Sequence, residues 1–156
     1  MKNWLVGALC VACLVSAGCA KEPQTPRAPV EYFAVEGARA PFSSAVRVGD
    51  VLYLSGQIGM RSDGSFPEGL EAQTRLAMDN IAAALERAGS SMDAVFKCTA
   101  MLDDMSAWAD FNKVYVEYFK PGRLPARSSF GADGLALGAL MEIECLAYAP
   151  PAPGTD

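Results

Sequence analysis

Two amphipathic helical segments are all this chain offers to cover a sheet whose strands are apolar on both faces. Leu70, Thr74, Ala77, Ile81, Leu85 and Ala88 recur at steps of three or four, and Gly89 follows, so the first helix has one apolar stripe and a glycine stop. A second helix, capped by Asp104 or Ser106, carries Trp108, Phe111, Val114 or Tyr115, Tyr118 and Phe119, and ends at Pro121-Gly122. Around these lie strand-like runs at Ala45 to Val48 and Val51 to Ser55, joined by Gly49-Asp50, then at Val95 to Leu102, Ser128 to Phe130 and Met141 to Tyr148. The order is β-β-α-β-α-β-β, an α+β domain with two helices on one face of a mixed sheet. The other face must meet water or another subunit. Val46, Val48, Leu52, Leu54 and Met101 make the strands too apolar for a wet face, so an oligomer is expected.

The 156 residues suit one domain. With 13 basic and 18 acidic side chains the formal charge is −5, which removes the general attraction to phosphate backbones and argues against a nucleic-acid partner. Histidine is absent, which excludes Ser-His-Asp and Cys-His catalysis and histidine-bearing zinc sites.

The N-terminal region has a different character. Residues 1–18 start with Lys2, run through Trp4, Leu5, Val6, Leu9, Val11, Leu14 and Val15, and exit through small residues, as a secretory signal peptide does. Ser16-Ala17-Gly18-Cys19 resembles a bacterial lipobox, which makes Cys19 the expected lipidation site; an ordinary signal peptide is the alternative. Residues 19–31, with Pro23, Pro26 and Pro29, read as a lipid-anchored tether, residues 32–148 as the domain, and residues 149–156 as a Pro-rich tail. The expected location is periplasmic, or the outer membrane through the lipid alone. Cys10 and Cys13 fall in the signal. Cys98 and Cys145 remain in apolar strands, where two buried thiols are the favoured reading and a disulfide requires the strands to be adjacent.

Few residues are placed to carry chemistry. Arg127 follows Leu124-Pro125-Ala126 at the entry to a strand and has no acidic neighbour in sequence. It is either a solvated surface arginine or a two-pronged clamp for a small carboxylate. Glu142 and Glu144 lie two apart in a strand, which puts both on one face and Met141, Ile143 and Cys145 on the other. That pair is either a solvated strand face or an acid/base group beside apolar walls. Gly56, after an apolar strand, permits a bulge or a close backbone approach, although turn geometry is the favoured reading. Asn112 is by itself an ordinary helix residue.

Three segments, Ala40 to Ile58 (APFSSAVRVGDVLYLSGQI), Leu124 to Ser129 (LPARSS) and Met141 to Ala147 (MEIECLA), resemble the reactive-intermediate deaminase family, the YjgF-like or Rid proteins. The resemblance spans Tyr32 to Tyr148. It implies a chorismate-mutase-like fold and a homotrimer whose inner sheet faces form a barrel with clefts between subunits. The implied activity is hydrolysis of enamine and imine carboxylates such as 2-aminoacrylate to 2-keto acids and ammonia, without metal or cofactor. Carried over by motif, Arg127 binds the substrate carboxylate and Glu142 orients or activates the attacking water. Phe42, Ser55, Gly56, Asn112 and Ser129 line the substrate. Phe42 stands where the deaminases typically have tyrosine, and Ser129 where cysteine is frequent. A non-catalytic carboxylate-binding lipoprotein module of the same fold is the alternative.

Overall fold

The computed structural model describes residues 30–149, apart from 36, 38 and 39. The proposed signal peptide, Cys19, nearly all of the tether, and the tail after residue 149 lie outside the described residues.

The strands are β1 (Glu31–Phe33), β2 (Ala45–Val48), β3 (Val51–Leu54), β4 (Gln57–Ile58), β5 (Val95–Leu102), β6 (Ala126–Gly131) and β7 (Met141–Tyr148). The helices are α1 (Leu70–Arg87) and α2 (Trp108–Tyr115). One sheet holds all the strands in the order β1-β2-β3-β7-β5-β6, with β4 also on β7. Among the described residues only β5 and β6 run parallel, because α2 carries the chain back between them; the other pairs are antiparallel. The structure thus has the expected mixed α+β fold. It adds two short strands, β1 and β4, that sequence periodicity did not reveal, and β1 starts one residue inside the segment assigned to the tether.

Local sequence explains the element ends. Val48 pairs with Val51 across a two-residue loop, where Gly49 adopts φ 58°. At the end of α1, Gly89 sits at φ 75°, the Ser90 amide donates to the Leu85 carbonyl and the Gly89 amide to the Glu86 carbonyl. This is a Schellman motif. Asp104 accepts from the Ser106 amide at 2.8 Å and caps the turn that leads into α2; the Ser106 hydroxyl, which donates to it at 2.7 Å, and then that amide hold its carboxyl below the usual range. The α-helical part of α2 is shorter than its apolar stripe, because residues 116–118 tighten into a 3₁₀ turn.

Both helices pack on one sheet face. Ala77, Met78, Ile81 and Leu85 of α1 and Phe111 and Tyr115 of α2 meet Leu52, Leu54, Ala100, Leu102, Met141, Ile143 and Ala147. The strands alternate as pleating requires, so Val46, Val48, Val51, Tyr53, Met101, Leu146 and Tyr148 point to the opposite face. There Val48, Tyr53 and Tyr148 are 48%, 48% and 54% exposed, a level that leaves the face only half covered within one chain. Leu52 and Leu54 belong to the helix-covered face instead.

The reading of Cys98 and Cys145 as separate thiols is corrected. β5 and β7 are adjacent, the two residues are directly opposed in register, and they form a disulfide with a Cα separation of 4.1 Å. The bond is almost completely buried and closes a sequence separation of 47 residues. A loop of that length contributes about 4 kcal/mol in the chain-entropy description of cross-links. Replacing both cysteines by alanine is expected to lower the unfolding free energy by about 2–4 kcal/mol in denaturant melts.

Candidate active site

The residues singled out from sequence form two groups within one chain. Arg127 pairs with Cys98 and Ser129 with Ala100, so both share the helix-covered face with the disulfide. Glu142 pairs with Met101 and Ile58 on the opposite face. Along the strands the rows of Arg127 and Glu142 are separated by about 10 Å, and β6 and β7 are two strands apart, another ~10 Å. A single chain therefore does not bring the guanidinium and the carboxylate together.

The first group is built on β6 and α2. The Arg127 guanidinium lies over three rings of α2: Trp108 at 4.6 Å, Phe111 at 5.5 Å and Tyr115 at 4.5 Å from the ring centroids. Positions 108, 111 and 115 recur on one helix face, so a single stripe supplies the whole clamp. The rings hold the planar cation by its face while leaving its N–H edge unspent. Among the described residues Arg127 has no ion pair. Asn112 Oδ1, Tyr115 Oη and Ser129 Oγ are buried without a hydrogen-bond partner. Such groups each cost about 1–3 kcal/mol; the Tyr115 ring lies against the Arg127 guanidinium and Ser129 follows Arg127 on the same face of β6, so α2 and β6 carry both an unpaired cation and orphaned polar atoms that a polar ligand would satisfy. Burial pushes the Tyr115 phenol up to about 12, with the Arg127 charge opposing the shift, so the hydroxyl keeps its proton at neutral pH.

The second group is built on a bulge. Tyr53 pairs with Leu146, whereas Gln57 pairs with Ile143, so β3 and β4 use one residue more than β7 over the same span. The extra residue falls at Ser55-Gly56, which makes Gly56 a bulge position rather than the turn that sequence favoured. A Cβ on Gly56 would stand 1.8 Å from Glu142 Oε1. The missing side chain is thus what lets the carboxylate lie against the backbone. Ser55 Oγ donates to the Ser43 carbonyl at 2.6 Å, which ties the bulge to the loop carrying Phe42. Phe42 is 57% exposed. Glu144 shares the Glu142 face and is exposed.

Sequence reading missed the roles of Trp108, Phe111 and Tyr115. Their helical spacing was visible, but the same spacing serves a core stripe, and only the neighbouring β6 shows that a cation fills it. Gly56→Ala is expected to swing the Glu142 carboxylate away from the bulge while the fold is kept. A crystal structure of that variant with Glu142 in its original place would contradict this reading of the glycine.

A family profile described as "Endoribonuclease L-PSP" matches residues 34–149. The 2-iminobutanoate/2-iminopropanoate deaminase of Mus musculus is 36% identical over 116 residues, 73% of this chain and 85% of that protein. Among solved structures, RidA from the Antarctic bacterium Psychrobacter sp. PAMC 21119 superposes with a TM-score of 0.67 at 36% identity, covering 71% of this chain and 90% of that one. E. coli TdcF with bound serine gives 0.67 at 30% identity over 72% and 91%. The architecture and these similarities agree, and the chain belongs to the Endoribonuclease L-PSP family, that of the YjgF-like and Rid proteins.

Proposed function

We propose that this protein hydrolyses small enamine and imine carboxylates, of the 2-aminoacrylate type, to 2-keto acids and ammonia, at sites shared between neighbouring chains of a homotrimer. The observation that carries the proposal is the Arg127 guanidinium, held over three rings and without an ion pair among the described residues, on the two elements that also carry the unpartnered buried atoms of Asn112, Tyr115 and Ser129. Such a cation holds a carboxylate by two parallel charge-assisted hydrogen bonds, which fixes the adjacent imine carbon. The mouse deaminase and the serine-bound TdcF structure support a small amino or imino carboxylate as the ligand.

The chemistry asks little beyond positioning. Protonation of the enamine carbon gives the imine, whose carbon is already electrophilic. Water adds to that carbon as Glu142 takes one of its protons; Glu142 returns that proton to the carbinolamine nitrogen, and the C–N bond then breaks, the hydroxyl giving its proton to solvent as the C=O bond forms and ammonia leaves. Proton-transfer help of this kind contributes about 10²–10⁴-fold.

Glu142 must then come from a second chain, since one chain holds it on the sheet face away from Arg127. The apolar open face, with Val48, Tyr53 and Tyr148 exposed, supports the association. An exported, lipid-anchored protein is part of the same reading: the Cys98–Cys145 bond suits an oxidising compartment, and the lipobox-like Ser16-Ala17-Gly18-Cys19 suits acylation.

Phe42 favours a second reading, a carboxylate-binding module without turnover, because its exposed ring carries no hydroxyl. Full-length protein supplied with 2-aminoacrylate generated in situ separates the two. Acceleration of keto-acid release that Arg127→Ala lowers at least 100-fold supports the enzyme. Binding of pyruvate without ammonia release supports the module, and activity gained only with Phe42→Tyr assigns the deficit to the missing phenol. Refolding Arg127→Ala and Glu142→Gln chains together restores about a quarter of the sites if each site draws on two chains, and none if one chain supplies both groups. Fatty-acid labelling that disappears in Cys19→Ala is the expected result for the anchor; labelling of neither form removes it.

A further inference from the structure

The Tyr115 hydroxyl is one of the orphaned buried atoms of the site, and its partner has not yet been assigned. The residue is 3% exposed, its oxygen is buried, and no donor or acceptor among the described residues meets it. Its ring stacks on Phe111 at 5.5 Å and packs against Phe119 at 4.9 Å. Packing alone would be served equally well by phenylalanine, which would also avoid an orphaned hydroxyl.

The neighbouring guanidinium cannot accept the phenolic proton, because arginine has donors only. Whatever accepts from Tyr115 beside Arg127 must therefore bring its own lone pair to a cationic site. An anionic oxygen meets both requirements at once. We propose that Tyr115 is a ligand-binding residue whose hydroxyl donates to an oxygen of the carboxylate held by Arg127, and that it sets the preference of the site for carboxylates over neutral analogues. The inference rests on the carboxylate role of Arg127 proposed above. Burial keeps the phenol protonated throughout the neutral range, so the donor is always present.

The test is titration calorimetry of the full-length protein with pyruvate and with its neutral amide, pyruvamide, for the wild type, Tyr115→Phe and Arg127→Ala. Tyr115→Phe keeps the ring over Arg127 and is expected to weaken pyruvate binding at least tenfold and pyruvamide, whose amide oxygen accepts only a neutral hydrogen bond, by a clearly smaller factor. In turnover the same variant should raise KM with little change in kcat. Equal weakening of both ligands, which is the signature of a packing role, overturns the proposal. So does unchanged pyruvate affinity, and if Arg127→Ala still abolishes binding in that case, the function stands without Tyr115. A wild type that binds no pyruvate overturns both. A structure of the wild type with pyruvate in which the phenol oxygen lies beyond hydrogen-bond distance of the carboxylate overturns the assignment without any variant.

Discussion

Strand β7 lies between β3 and β5, and its pleat divides the molecule. Met141, Ile143, Cys145 and Ala147 enter the core under the helices, while Glu142, Glu144, Leu146 and Tyr148 face away. A slip of one residue would exchange the two sets, placing two carboxylates in the core and the core residues on the open face. The Cys98–Cys145 bond ties β7 to β5 at one row, and the extra residue at Ser55-Gly56 adjusts β3 and β4 to β7 at another. Placement of both halves of the site depends on this register.

From that register follows the division of labour. Arg127 stands one strand beyond β5 in the row of the disulfide, where α2 lays three rings across it. Glu142 lies on the other face, seated against a glycine. Each half is supported by its own surroundings: the cation by aromatic faces that leave its N–H edge available, the carboxylate by a bulge that removes the one obstructing atom. In the proposed reading neither half acts alone, and the exposed apolar face is where a second chain would bring the other half.

The clarity of these features in the sequence varied with how local their causes are. The α1 stripe, the Gly89 stop, the Gly49-Asp50 hairpin and the Asp104 cap were legible because each depends on residues within a turn or two. The pairing of Glu142 and Glu144 on one face was legible for the same reason. Arg127 was ambiguous until motif resemblance raised it, since a solvated arginine and a clamped one look alike in sequence. The aromatic stripe of α2 was legible and does enter the core, but that it also holds a cation was not, and the importance of Gly56 was seen but attributed to a turn.

The sequence by itself determined the order of the main elements, the excess of apolar sheet over available helix, the acidic charge, and the absence of histidine chemistry, all of which rest on composition and short-range periodicity. Only the tertiary structure decided that Cys98 meets Cys145, that Gly56 meets Glu142, and that Arg127 and Glu142 take opposite faces of the sheet. These are contacts between residues far apart in the chain. Their existence depends on which strands become neighbours and in what register, a long-range choice that no local pattern of side chains specifies.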